Sequence, residues 1–380
     1  MHILFISASK FQSNSAEASR LYYLAQLFAV DNDVCILSRG QADTQKQESV
    51  MHVSVSNKKL INRNIVSRAL DYCLFTRNIK KFFKKMERAD AIVACAMPTS
   101  TLKFLIQYTK RNHVILIHDA VEWYSAEEFR FGRFDRLYRK KEKWMRKLLP
   151  GNCRIISISQ YLKNYFESVG NKSVYIPSII DTRKYQYSPK CNDGKIKIVY
   201  AGTPLRKDYL SVALKGISDL SIDKIKRLEI IIMGVSLNQA NENGITQSIL
   251  DKLGNSIAFL GKVPREEVFE NLGKANFSVL LRPADQRYAK AGFPTKVPES
   301  MTVGTPVICN FSSDLEDYLT DEGNCVRVDE CSAEAMTESM NRVFGYDSAQ
   351  LEAIAVKSAH TAKERFDYRL YIPEVRRILE

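Results

Sequence analysis

Buried strands alternate with amphipathic helices along the whole chain. The strand-like runs are continuous and β-branched, without the polar alternation of a sheet that faces water on one side. Strands of this kind are buried on both faces, as in a parallel sheet flanked by helices, and right-handed crossovers then give doubly wound sheets. The runs are HILFIS, DVCILS, AIVAC, VILIH, RIISIS, KIVYAG, LEIIIMG, IAFLG, FSVLL, TPVICN and NCVRV.

The strand series restarts once, after the polar segment SPKCNDGK at 188–195. A chain of 380 residues suits two cores, so we predict two Rossmann-like domains at 1–187 and 188–358. The segment 359–380 reads as an amphipathic helix that packs back on the first domain. Two such domains facing each other leave a cleft lined by the carboxyl ends of both sheets, where doubly wound folds bind ligands.

The charge predicts an acidic partner. The formal net charge is +13 and the pI is about 9.2, which favours nucleic acid, an anionic membrane face or a phosphorylated substrate. Eight cysteines are scattered without a CxxC or metal-ligand spacing, as expected of free thiols in a reducing compartment. The first apolar run is too short for a signal peptide, and no run approaches the ~20 apolar residues of a membrane span. We therefore expect a cytoplasmic protein without a bound metal.

Three glycines follow strands of the second series. Gly202 leads into Thr203, Arg206 and Lys207, where backbone amides and fixed cations suit a diphosphate, although a solvated turn is the alternative. The strands LEIIIMG and IAFLG end in the same way, at Gly234 and Gly261. Neither a GxGxxG after the first strand of a series nor a GxxxxGK[ST] is present, which weakens dinucleotide and P-loop interpretations.

A further loop is predicted at 289–300, AKAGFPTKVPES, between a strand-like and a helix-like run. We expect its backbone amides and Lys296 to face something anionic, with a helix after Pro298 adding its N-terminal amides.

These segments together resemble the donor domain of glycosyltransferase family four, the retaining group with the GT-B fold. The resemblance rests on KIVYAGTPLRKD, LEIIIMG, IAFLGKVPREEVFENLGKANFSVLLRP and AGFPTKVPESMTVGTPVICN, and its most specific part lies between Tyr200 and Val328. It implies that Gly202, Arg206 and Lys207 hold the donor diphosphate, and that Glu299 binds the ribose. The family's other carboxylate falls at Ala291 and is absent. The remaining implied donor-binding residues are Thr203, Gly234, Gly261, Lys262, Val263, Gly292, Phe293, Pro294, Thr295 and Lys296.

In the first domain the resemblance points to two places. The loop after HILFIS carries Ser13 and Asn14 where the family often has a Gly-Gly pair, so we expect acceptor contacts there. His118 and Asp119 close the strand VILIH. The resemblance implies that His118 contacts the transferred sugar and, with Arg206 and Lys207, belongs to the catalytic set, while Asp119 lies on the acceptor side.

Two basic stretches explain the net charge. Residues 57–90 hold ten Lys or Arg against three acidic residues, and residues 129–147 hold nine against two. Apolar residues recur at helical spacing through the second stretch. A basic amphipathic helix with aromatic residues favours an anionic membrane face, whereas an ordinary helix would bury that stripe in the core. We expect membrane contact through both stretches and leave the fate of the stripe open.

The resemblance implies a retaining, metal-independent transferase without a cofactor. Its donor would be a nucleotide-diphosphate sugar, with UDP favoured, and its acceptor a lipid-linked or polysaccharide intermediate of capsule, O-antigen or exopolysaccharide assembly. A catalytically silent GT-B subunit that stabilises a partner transferase is an alternative, because Ala291 replaces a carboxylate. A sugar-nucleotide epimerase is another, and nucleic-acid binding rests on charge alone without a recognised motif.

Overall fold

The protein consists of two compact units. The computed structural model describes residues 1–10, 15–39, 45–56, 65–86, 88–190, 194–204 and 207–380. The first unit comprises Met1–Ile179 together with Tyr368–Glu380, and the second comprises Ile180–Asp367.

The first unit is built around a sheet that has eight strands in the described part of the chain, in the order β3-β4-β2-β1-β5-β6-β7-β8. Neighbouring strands are parallel except β3 and β4, which are antiparallel. Its elements are β1 (His2–Lys10), α1 (Ala16–Phe28), β2 (Asp33–Arg39), β3 (Gln45–Gln47), β4 (Val50–Ser54), α2 (Ile65–Phe83), β5 (Ala91–Ala94), α3 (Thr99–Asn112), β6 (Ile115–Ala120), α4 (Arg136–Lys143), β7 (Arg154–Ser157), α5 (Gln160–Ser168) and β8 (Ser173–Tyr175).

Strand β1 shows why this sheet forms. Ile3, Leu4, Phe5 and Ile6 are at most 1% exposed, so both faces of the strand are covered by helices, as its continuous apolar sequence predicts. Helix α1 then begins at a cap, because the Ser15 hydroxyl accepts the backbone N–H of Ala18 at 3.2 Å.

The second unit is built around a sheet whose six strands, among the described residues, are all parallel in the order β11-β10-β9-β12-β13-β14. The middle of the sheet is apolar: Ile198, Ile232 and Ile308 are fully buried. Its elements are β9 (Ile196–Ala201), α6 (Leu210–Ser218), α7 (Ile222–Lys226), β10 (Leu228–Met233), α8 (Gln247–Leu253), β11 (Ile257–Gly261), α9 (Arg265–Lys274), β12 (Phe277–Leu280), α10 (Arg287–Ala291), α11 (Lys296–Thr302), β13 (Val307–Cys309), β14 (Cys325–Arg327), α12 (Ala333–Val343) and α13 (Ser348–Arg365).

The units divide at Ile179/Ile180, eight residues before the boundary that the polar break suggests. Residues 180–187 carry contacts to the second unit that the sequence does not signal. The backbone N–H of Ile180 donates to the Phe366 carbonyl at 2.9 Å, and the Tyr187 hydroxyl donates to the Glu352 carboxylate. These bonds fix the segment to α13 and its end.

The C-terminal segment is likewise divided differently from the expected 359–380 helix. Helix α13 continues to Arg365 within the second unit, and a 3₁₀ turn at Tyr368–Tyr371 followed by α14 (Ile372–Leu379) belongs to the first unit. There the Arg154 guanidinium donates to the Ile378 carbonyl at 2.6 Å.

The predicted loop at 289–300 is mostly helical. Helix α10 ends at Ala291, and α11 begins at Lys296, not after Pro298. Proline is tolerated in a first turn because the N–H groups there have no partner within the helix. The N-terminal amides of α11 therefore precede Pro298.

Candidate functional site

Three glycine turns meet at one edge of the second sheet. Gly202, Gly234 and Gly261 end the adjacent strands β9, β10 and β11 with φ values of +139°, +93° and +64°. The Gly202 N–H donates to the Met233 carbonyl at 2.9 Å, and the Gly234 N–H donates to the Gly261 carbonyl at 2.6 Å. A Cβ on Gly234 would lie 2.4 Å from the Gly202 carbonyl oxygen, so the close approach of these turns requires glycine.

Lys296 lies directly against the first of these turns. A Cβ on Gly202 would come within 2.6 Å of Lys296 Cε and 2.9 Å of Nζ. The lysine is the first residue of α11, and its ammonium donates to the Tyr200 hydroxyl at 2.8 Å. It also lies 4.2 Å from the centroid of the Tyr200 ring. The predicted cation of the 289–300 segment and the predicted glycine turn are therefore in contact.

A carboxylate joins this lysine to a second cation. Asp208 accepts from Lys296 Nζ on one oxygen and from Arg282 Nε on the other at 2.7 Å, and the Tyr200 hydroxyl donates to it at 3.0 Å. Burial raises the pKa of Asp208, but Lys296 and Arg282 outweigh it and hold the pKa well below its usual range. We call Tyr200, Asp208, Arg282 and Lys296 the lysine cluster, and it carries two cations for one carboxylate.

Asn310 holds the arginine of this cluster in place. Its side chain accepts the Arg282 backbone N–H at 2.9 Å and donates to the Arg282 carbonyl at 2.6 Å. Asn310 follows β13 as Arg282 follows β12, and these strands are neighbours. The carboxyl edge of the sheet therefore assembles the cluster from several chain segments.

Glu299, the predicted ribose ligand, already has a cationic partner. Its carboxylate lies 2.9 Å from Arg265 Nη2, and both side chains are about one-fifth exposed. Arg265 also lies over the Phe269 ring, which stacks on Tyr185 with centroids 3.7 Å apart. A nucleotide ribose at Glu299 would share this carboxylate with Arg265.

The middle of the 289–300 segment is turned into the core. Phe293 is 5% exposed and packs against Tyr318 and Phe366, with ring centroids 5.5 and 5.8 Å away. Pro294 is buried, and the Gly292 N–H donates to the Tyr288 carbonyl at the end of α10. Ala291 is fully buried. The Gly292 amide is thus engaged within the chain, contrary to the expectation that it offers itself to a ligand.

The other predicted donor residues fall into two groups. Thr203 and Lys262 are exposed, while Lys207, Val263 and Thr295 are partly buried. Arg206 lies outside the described residues, as do Ser13 and Asn14 of the first unit.

His118 lies in β6 and is 5% exposed. Its ring meets Trp144 edge-on, with centroids 5.7 Å apart, and its Nδ1 has no hydrogen-bond partner among the described residues. Burial lowers the pKa of His118 to about 4, so the imidazole is neutral near pH 7. A neutral ring with one unsatisfied nitrogen is able to form a hydrogen bond with an uncharged hydroxyl.

Asp119 forms a buried ion pair with a residue that the sequence did not single out. Both of its oxygens accept from Arg20, at 2.7–3.0 Å, and the two side chains are 5–6% exposed. Arg20 also donates to the carbonyls of Pro177 and Ile176, at 2.8 and 3.1 Å. The pair ties α1, β6 and the end of β8 together.

The structure also bears on metals and membranes. In the described residues, no three His, Cys, Asp or Glu side chains come together to hold a metal ion. None of the described helices is both long and apolar enough to span a membrane.

Solved structures share this fold over the whole chain. Sucrose-phosphate synthase (tll1590) from Thermosynechococcus elongatus is 15% identical, with a TM-score of 0.75 over 99% of this chain and 98% of that one. Anabaena Alr3699/HepE in complex with UDP and glucose is 15% identical, with a TM-score of 0.71 over 100% and 99%. WaaG, a glycosyltransferase involved in lipopolysaccharide biosynthesis, is 15% identical, with a TM-score of 0.67 over 99% and 98%. The predicted GT-B fold is therefore confirmed.

Sequence comparison covers a smaller part of the chain. No curated protein matches the sequence. Residues 181–355, within the unit that holds the glycine turns and the lysine cluster, match the family model described as glycosyl transferases group 1.

Proposed function

We propose that the protein is a retaining glycosyltransferase that uses a nucleotide-diphosphate sugar, with UDP as the nucleotide. The observation that carries the proposal is the contact of Lys296 with the Gly202 turn inside a cluster of two cations and one carboxylate. The group 1 family match of residues 181–355 supports it. So does the similar fold of the Anabaena protein, whose structure holds UDP and glucose.

The chemistry of the reaction matches the charge of the cluster. When a glycosyl–phosphate bond breaks, negative charge develops on the departing diphosphate, and preorganised cations stabilise it most where water is scarce. Lys296 and Arg282 have side chains only 20% and 16% exposed, and Asp208 fixes their positions. We assign the neutralisation of the leaving group to Lys296 and Arg282, together with Lys207 and Arg206, which follow Gly202 in the sequence.

We assign the nucleoside to the neighbouring residues. A carboxylate can accept from both hydroxyls of a ribose, which suits Glu299, and Arg265 holds that carboxylate at 2.9 Å. The segment Gly261–Val263, which follows β11 on the same sheet edge, receives the base in this proposal.

The acceptor in this proposal is a lipid-linked or polysaccharide intermediate of cell-surface glycan assembly. The similar fold of WaaG, whose role is in lipopolysaccharide biosynthesis, supports this class. His118 as the group that contacts the sugar stays a prediction from the resemblance, as do Ser13 and Asn14 on the acceptor side. Asp119 would act on the acceptor side through Arg20 and the segments that this pair fixes.

Calorimetric titration tests the donor site. We expect the wild-type protein to bind UDP and UDP-glucose, and Lys296→Met to weaken UDP binding about ten- to a hundredfold, the scale of one charged hydrogen bond. Lys290→Met is the matched control, because Lys290 is exposed on α10 in the same segment. If the wild-type protein binds no sugar nucleotide in a panel that includes UDP and GDP sugars, the proposal is wrong.

Ala291 favours one alternative, a silent GT-B subunit that stabilises a partner transferase. The side chain at this position is fully buried, and the resemblance places a carboxylate there. A protein that binds UDP-glucose but neither hydrolyses it nor transfers glucose to any acceptor would support the silent subunit. Slow release of glucose from UDP-glucose that Lys296→Met abolishes would support the transferase.

A further inference from the structure

The basic stretch of the first unit forms a surface that the donor chemistry does not use. Residues 130–140 begin with a 3₁₀ turn at Gly132–Phe134 and continue into α4. Phe131, Phe134 and Leu137 are 65%, 80% and 52% exposed. The exposed cations among them recur at nearly every third position: Arg130, Arg133, Arg136, Arg139 and Lys140. We call these three apolar and five cationic residues the 130–140 surface.

The apolar stripe predicted for this stretch is split between core and solvent. Met145 is 6% exposed, and Tyr138 is partly buried against Phe129, with ring centroids 5.6 Å apart. These residues attach the segment to the unit. Phe134 and Leu137 are left on the outside, so neither of the two sequence interpretations, core or surface, describes the stripe alone.

The 130–140 stretch keeps a net positive charge, with five exposed cations against one acid. Asp135 caps α4 by accepting the backbone N–H of Leu137 at 2.8 Å. Glu142 accepts from Trp123 Nε1 and from Arg146, at 2.7 and 2.8 Å. The exposed acid closest in sequence is Glu127, on the preceding turn. Five exposed cations therefore stand beside three exposed apolar side chains.

We propose that the 130–140 surface docks on an anionic lipid bilayer. Arginine binds lipid phosphate through paired hydrogen bonds, and phenylalanine and leucine gain by leaving water for the acyl boundary. A nucleic acid would use the cations and could stack on phenylalanine, but it offers nothing to an exposed leucine. The surface lies in the first unit, and the proposal does not depend on whether the second unit transfers a sugar.

Vesicle co-sedimentation tests the charge component. The probe is a vesicle of phosphatidylcholine mixed with phosphatidylglycerol, compared with phosphatidylcholine alone. We expect wild-type protein to bind the anionic vesicle. Each cation lost should weaken binding about fivefold, so R133Q/R136Q/R139Q should bind about a hundredfold more weakly. The matched control is K226Q/K357Q/K363Q, which removes three exposed cations from the second unit, outside both basic stretches. An equal loss in both variants would show a general charge effect and overturn the docking surface.

The apolar component separates lipid from nucleic acid. We expect F134S/L137S to weaken vesicle binding about tenfold or more while its circular dichroism is unchanged, because both side chains are exposed. The control is I222S/L237S, which replaces residues 71% and 58% exposed in the second unit. Binding to a single-stranded oligonucleotide, measured by anisotropy, should be weak and insensitive to L137S. Undiminished vesicle binding by F134S/L137S, or tighter oligonucleotide than vesicle binding, would overturn the proposal.

Discussion

Each unit of the protein buries an aspartate that pairs with basic side chains. The two arrangements differ in the ratio of positive to negative charges. In the first unit Asp119 pairs with Arg20 alone, so the two charges cancel. Arg20 also donates to two backbone carbonyls, which satisfies its other hydrogen-bond donors. In the second unit Asp208 lies between Lys296 and Arg282, whose side chains are 20% and 16% exposed. The Arg20–Asp119 pair is therefore neutral, whereas the lysine cluster has one more cation than anion.

In the proposed function, this difference separates a structural ion pair from a binding site. A closed buried pair fixes its neighbours, and breaking it leaves a charge without a partner. A partly exposed cluster with an excess cation instead attracts an anion, and its carboxylate keeps the cations in place until the anion arrives. Both aspartates are near the carboxyl ends of parallel strands, so position alone does not distinguish them.

The largest expected effect is the loss of stability on breaking the Arg20–Asp119 pair. Arg20→Met should destabilise the first unit by about 3–5 kcal/mol, because the Asp119 carboxylate remains buried without its partner. Hydrogen exchange read by mass spectrometry on peptides of α1 and β6 would report the loss separately from the second unit. Arg20→Lys should recover only part of the stability, since an ammonium lacks the two-pronged geometry of the guanidinium.

Arg376→Met provides the control for this loss. Arg376 pairs with Asp31 at 2.8 Å in the same unit, but the two side chains are 65% and 42% exposed. Its removal should cost at most ~1 kcal/mol. If the two arginine variants lose equal stability, burial does not set the value of the Arg20–Asp119 pair.

A smaller but more specific loss of stability is expected at the lysine cluster. Asp208→Asn should destabilise the second unit by about 2 kcal/mol, less than a fully buried pair because Lys296 and Arg282 are partly solvated. Inorganic pyrophosphate should restore much of this loss, because an anion bound to the two cations replaces the missing charge and stabilises the folded state by mass action. The readout is hydrogen exchange on peptides of β9 and α11, with and without pyrophosphate.

Asp119→Asn is the matching variant of the Arg20–Asp119 pair, for comparison with Asp208→Asn. It should lose more stability, and pyrophosphate should restore none of it, since Arg20 is buried and donates to two carbonyls. Equal rescue of both variants would mean that pyrophosphate acts on the chain as a whole and not at the lysine cluster.

Much of the fold could be predicted because its signal is local. Each of the eleven apolar runs contains a strand, and the rule that parallel strands end at one edge placed Gly202, Gly234 and Gly261 together. Strands β3, β4 and β8 were not predicted, and β3 and β8 have only three residues each, too few to show a period. The division at Ile179/Ile180 was missed because hydrogen bonds to Phe366 and Glu352, far along the chain, decide it.

The lysine cluster was found only in part, since its bonds join distant residues. Asp208 lies 88 positions from Lys296 and 74 from Arg282, and a carboxylate next to Lys207 reads as a surface charge pair. One available signal was overlooked: Arg282 and Asn310 follow buried strands, as the glycines do. The Arg20–Asp119 pair gave no such signal, because an arginine inside an amphipathic helix is ordinarily exposed.

The smallest predicted effect concerns acid and again separates the units. His118 and His52 of the first unit are 5% and 1% exposed, and burial lowers the pKa of each to about 4. Between pH 6.5 and 4 the unfolded chain therefore binds more protons than the folded one, so stability falls as the pH falls. At pH 6 each histidine should cost the first unit about 1 kcal/mol relative to pH 8.

The second unit should keep its stability between pH 7 and 6. Burial lowers the pKa of its Lys190 to about 8, so this lysine titrates above that interval. The unit contains one histidine, His360, which is exposed on α13, and the lowered pKa of Asp208 moves its own loss of stability below pH 4. Hydrogen exchange at pH 7 and 6, corrected for the intrinsic rate, should show the decline in β6 and not in β9. H52Q/H118Q should flatten the decline, and H360Q should leave it as it is. A decline of equal size in both units would place the acid sensitivity outside these two histidines.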